Sequence, residues 1–86
     1  MSKKDIVNKI KFKLELLNIS KNGCYNLKDI EVGNGNRIIW VSPTQVCFSN
    51  ATSLSNVYRN KRYALYSKNV SLEMLNLIDD AIPYKA

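Results

Sequence analysis

The chain is 86 residues long and carries a formal charge of +6, with 13 lysines and arginines, 7 acidic residues and no histidine. That length suits one domain with a small core, so residues 1–86 read as a single unit, and an apolar content of 45% excludes wholesale disorder. The absence of histidine removes the commonest general base and the commonest metal ligand.

The first element reads as a helix. Ser2, with Asp5 three residues on, makes a capping-box-like start that satisfies free backbone donors. Ile6, Val7, Ile10, Leu14 and Leu17 follow at helical spacing and share a face, while Lys4, Lys11 and Glu15 fall opposite. Phe12, Leu16 and Ile19 form a second apolar stripe, although a surface helix needs only one. The plainer reading sinks this helix between a sheet and another helix. The sharper one offers Phe12, Leu16 and Ile19 to a partner or to a second copy of the chain. Asn22-Gly23 is expected to end the element, because both residues adopt left-handed conformations cheaply.

Strands follow. Tyr25 and Leu27 alternate in one phase and Ile30 and Val32 in the other, so a bulge is expected near Lys28-Asp29. Gly33-Asn34-Gly35-Asn36 reads as a hairpin turn and Arg37–Val41 as the returning strand, apolar on both faces and therefore central. Ser42-Pro43-Thr44 makes another turn before a short third strand, Gln45–Phe48. Residues 49–56 are polar and turn-rich, and one or two helical turns are expected there, with Leu54, Val57 and Tyr58 on one face. Tyr63–Tyr66 has strand propensity and is placed as a fourth strand. Ser71 then caps a last helix whose Met74, Leu75, Ile78, Ala81 and Ile82 share a face and which Pro83 stops. Asp79-Asp80 on that helix reads as a solvated edge. The order predicts an α+β fold, an antiparallel sheet of three or four strands with an N-terminal and a C-terminal helix mainly on one face.

Catalysis is hard to build from this inventory. No nucleophile-elbow spacing occurs, Gly33-Asn34-Gly35 lacks the third glycine of a dinucleotide cradle, and Asp79 and Asp80 are too close together to flank a substrate. Cys24 and Cys47 lack metal or dithiol spacing, and each sits in a strand-like run where a thiol serves as a small buried hydrophobe. The chain is expected to be a non-enzyme without cofactor or metal. Its N-terminus lacks the apolar stretch of a signal peptide, and no apolar run approaches a membrane span, so it reads as cytoplasmic with no membrane insertion.

The densest chemistry lies in Tyr58, Arg59, Lys61, Arg62, Tyr63, Tyr66 and Lys68, where cations and rings alternate. Cations attract phosphates or acidic surfaces, and rings offer faces for bases or for core contacts. Lys3, Lys4, Lys9, Lys11 and Lys13 would extend the field. The plainer reading is a basic loop with core tyrosines. A compact, basic chain rich in Asn, Lys and Ile is similar in style to accessory proteins of low-GC bacteria and their phages, anti-defence inhibitors among them. Two kinds of partner are therefore expected: another protein or a nucleic-acid-handling complex, held by an inhibitor or accessory protein, or nucleic acid itself, contacted directly through Tyr58–Lys68.

Overall fold

The computed structural model describes residues 2–32, 36–50 and 59–84. Its elements run α1 (Lys3–Leu16), β1 (Tyr25–Glu31), β2 (Asn36–Val41), β3 (Gln45–Asn50), β4 (Arg59–Ala64) and α2 (Leu72–Ala81). The strands form one antiparallel sheet in the order β1-β2-β3-β4, which is the expected α+β architecture. The third strand runs past the expected end at Phe48, so Ser49 and Asn50, read with the polar 49–56 segment, belong to β3 and pair with Asn60 and Arg59. The Gly33-Asn34-Gly35 turn, the rest of that segment with its expected turns of helix, and Val57 and Tyr58 lie outside the described residues.

Local chemistry explains the helix starts. The Ser2 hydroxyl accepts from the Asp5 amide at 3.3 Å while the Asp5 carboxylate accepts from the Ser2 amide at 3.2 Å. Hydrogen bonding to its carboxyl from the Ser2 side chain, and then from the Ser2 amide, holds the exposed Asp5 below the usual carboxylate range. At α2 the Ser71 hydroxyl accepts from the Met74 amide at 3.2 Å, and Glu73 complements the positive end of the helix.

The end of α1 differs from expectation. Asn18, at φ 61°, is the left-handed residue, and Asn22-Gly23 lies beyond the helix. The Ile19 amide donates to the Leu14 carbonyl at 2.9 Å, and the Asn18 amide donates to the Glu15 carbonyl at 3.0 Å. This is a Schellman motif, in which the chain folds back over its last turn. Ile19 is thereby turned toward the core instead of continuing the stripe of Phe12 and Leu16.

One cluster holds the molecule together. Ile6, Val7, Ile10 and Leu14 of α1 meet Leu27, Ile38, Val41, Val46 and Phe48 of the sheet and Leu75, Ile78 and Ile82 at α2. All these strand residues point to the same face, so the helices sit mainly there. Burying each large aliphatic side chain contributes about 1.5–3 kcal/mol. Ala81, expected on the apolar face of α2, is instead exposed and sits beside β1.

Two irregularities set the strand registers. Between Asn26 and Ile30 the β1–β2 pairing shifts, where the sequence phase slips. Between Ile38 and Trp40 the β2–β3 pairing also shifts, because Ile39 is an extra residue opposite β3. The fourth strand lies earlier than the Tyr63–Tyr66 expected from propensity. Its last residue, Ala64, pairs with Gln45, the first of β3, so no ladder partner remains for Leu65 and Tyr66. These two enter a turn closed by the Ser67 amide on the Ala64 carbonyl at 2.9 Å.

Candidate binding surface

The cation–ring segment does not form one surface. Strand alternation sends Arg62 to the face away from the helices and Tyr63 to the core side, where its ring meets Phe48 edge-on at 5.2 Å. Tyr66, past the end of β4, is 49% exposed and lies against α1, with the Lys11 ammonium 5.1 Å from its ring centroid and its hydroxyl donating to Asn8 Oδ1 at 3.4 Å. Lys68 is exposed in the turn region that follows. The backbones of Arg59 and Lys61 belong to β4, while their side chains, and Tyr58 altogether, lie outside the described residues.

The lysines of α1 are likewise divided. Lys13 is buried, and its ammonium lies 3.0 Å from Asp79 Oδ1 and donates to the Asp79 carbonyl at 2.6 Å. The carboxylate contact is electrostatic, without the angle of a directed hydrogen bond. Lys9 pairs with the other oxygen at 3.1 Å, which pushes the Lys9 pKa up. Tyr84 places its ring 4.6 Å from the Lys13 ammonium. Lys3 donates to the Ser67 carbonyl. Asp79 is therefore no solvated edge. It neutralises Lys13 and Lys9 and fastens α2 to α1, so neither lysine adds to a free cationic field. Asp80 is exposed as expected.

The residues that do converge are on the sheet face opposite the core. The pairing aligns Asn26, Trp40, Cys47 and Arg62 in one row across all four strands. The Arg62 guanidinium lies 5.2 Å from the Trp40 ring centroid. Cys47 is 0% exposed beside this pair; burial pushes its thiol pKa up, while the charge and hydrogen bonding of Arg62 pull the other way. Cys24, expected to be buried, is exposed ahead of β1. A shallow depression of ≈ 480 Å³ opens here, lined by Lys21, Asn22, Gly23, Cys24, Trp40, Ser42, Thr44, Gln45 and Arg62. No carboxylate is among these described lining residues. One wall is stiffened by the Ser42 hydroxyl, which accepts from the Gln45 amide at 3.0 Å and from the Thr44 amide at 3.4 Å.

Phe12 and Leu16, one helical turn apart, are 55% and 48% exposed, so α1 is not sunk on all sides. Ile19 is half-buried and does not join them. Trp40 carries the site that sequence reasoning missed. Its signal was present as an apolar run, Ile38-Ile39-Trp40-Val41, too long for simple alternation. Among the described residues no helix is long and apolar enough to cross a membrane, and no three His, Cys, Asp or Glu side chains gather as a metal site. Comparison of the chain with protein-family models, with curated proteins and with solved structures finds no match in any of the three.

Proposed function

We propose that the chain is a small, basic, non-catalytic binding protein of the accessory or inhibitor type, and that it holds a nucleic-acid-handling complex through the sheet face opposite its core. The observation that carries this reading is the composition of the Trp40 depression. The Arg62 guanidinium lies over the Trp40 indole there, Lys21 lines the same depression, and no carboxylate is among its described lining residues. Aromatic and arginine side chains on a shaped surface are the usual anchors of recognition, and an excess of cations favours an anionic partner. The thiol beneath is raised in pKa by burial, which suits packing better than nucleophilic chemistry.

A photo-crosslinker placed at Gln45, on the rim of the depression, tests the reading. In lysate of a low-GC bacterium, or of its phage-infected culture, it should label a nucleic-acid-handling protein, and Arg62→Glu should abolish the label. Equal labelling from a crosslinker at Lys4, or labelling that survives Arg62→Glu, would place the contact elsewhere.

A further inference from the structure

We infer that the depression beside Trp40 seats one base of a single-stranded nucleic acid, the indole stacking on the base and Arg62 and Lys21 holding flanking phosphates. The inference rests on the reading that this sheet face is the binding surface, and it narrows the occupant. Three independent features point the same way.

The first is the aim of the indole. Ile38 and Val41 are both buried on the core side, three residues apart. Strict alternation from Ile38 would turn Trp40 inward and Val41 outward. The extra residue at Ile39 reverses this: Trp40 pairs with Cys47 on the far face while Val41 pairs with Val46 in the core. A bulge that re-aims a single side chain is a recurring device beside binding sites. Here it takes the largest ring in the chain out of the core, where it would have buried the most apolar area.

The second is the setting of that ring. Arg62 stands 5.2 Å from its centroid, and the half-buried indole borders the depression. Every base has a π-face, so such a platform accepts any unpaired base once the exposed Arg62 side chain swings off the ring toward a flanking phosphate. Bases in a duplex are stacked on one another and cannot reach it. Exposed Asn22, Thr44 and Gln45 line the same depression and supply amide and hydroxyl groups that a base edge can bond.

The third is charge. Lys21 and Arg62 line the depression, and no carboxylate is among its described lining residues. Glu15 shares the adjoining hollow with Lys21 and Glu31 ends β1, while Glu73, Asp79 and Asp80 lie on α2 in the opposite layer. An apolar protein anchor would want an apolar socket. The walls here are mainly polar, which suits a base edge and a phosphate better.

Trp40 is the only tryptophan, so intrinsic fluorescence reports this site alone. The wild-type protein is titrated at low salt with an oligothymidylate of eight nucleotides, with an abasic sugar–phosphate oligomer of the same length, with duplex DNA and with oligoglutamate. Oligothymidylate should quench Trp40. The abasic oligomer should bind roughly 5- to 150-fold more weakly and without quenching, the loss set by one stacked base. Trp40→Ala, read by anisotropy of a labelled oligothymidylate, should lose affinity over the same range, and Trp40→Phe should recover part of it. Equal affinity for the abasic and thymidylate oligomers overturns the base seat and leaves a general anion surface. Quenching by oligoglutamate but not by oligothymidylate also overturns it, in favour of an acidic protein. Either result leaves the proposed binding function standing. If Arg62→Glu, with its circular dichroism unchanged, alters no affinity in the series, the face itself is not the binding surface and both readings fall.

Discussion

Asp79 shows how much one side chain changes the meaning of its neighbours. Its carboxylate and main-chain carbonyl together hold the buried Lys13 ammonium, and its second oxygen takes Lys9. Removing one partner of a buried ion pair leaves an uncompensated charge, so Asp79→Ala should cost about 3 kcal/mol, the lower end of the usual range because the carbonyl contact survives. In a domain of this size that lowers Tm by more than about 10 °C. Replacing both partners by apolar residues, Lys13→Met with Asp79→Leu, should restore most of the loss. If the single variant melts with the wild type, the pair is not a fastening. The raised pKa of Lys9 has its own sign. The stability it contributes is present below the ordinary lysine value and is lost as pH rises through the folded one. The thiols give a second check. Cys47 is buried with a raised pKa and Cys24 is exposed. One thiol of the native protein should therefore react with iodoacetamide at least about tenfold faster than the other, and peptide mapping should place the fast one at Cys24. Comparable rates would mean that Cys47 is open to solvent.

At the level of elements, both caps could be read from the chain because they are local. Ser2 with Asp5, and Ser71 with Met74, need only their own turn of helix. The end of α1 was misread because Asn18 and Asn22-Gly23 are equally able to turn left-handed, and the choice between them is made by Ile19 reaching the core. The bulge in β1 was visible as a phase slip, whereas the one at Ile39 was hidden, since four apolar residues in a row show no phase to break. The boundary of β4 was set by where β3 begins, a non-local fact that propensity does not hold. The same cause split the cation–ring segment. Neighbours on a strand face opposite ways, so Arg62 stands outside while Tyr63 joins the core, as the reading of core tyrosines expects. The Schellman turn yields a prediction of its own. Asn18→Gly should hold or raise stability by up to about 1 kcal/mol in urea titration, and Asn18→Val should lower it by about 1–2 kcal/mol. A valine variant as stable as the wild type would show that Asn18 does not carry the left-handed conformation.

Across the whole molecule, charge is sorted by layer. Residues 18–68 contain seven lysines and arginines and two acidic residues, while α2 contains three acidic residues and no cation. Lys9 and Lys13 of α1 are spent against Asp79. A net charge of +6 is therefore a poor guide to where an anion would land. What remains is a layer of helices that closes the core and a sheet face on which Trp40 and Arg62 stand out from it. A second basic and aromatic locus, Lys11 over Tyr66 with Lys4 on the same helix, is the competing surface. Residue-resolved amide shifts on titration with a short anionic oligonucleotide decide between them most directly. The Trp40 indole N–H and the amides of Lys21–Cys24, Gln45 and Arg62 should move together and saturably. Shifts gathered at Lys4, Asn8, Lys11 and Tyr66, with the indole signal unmoved, would contradict it.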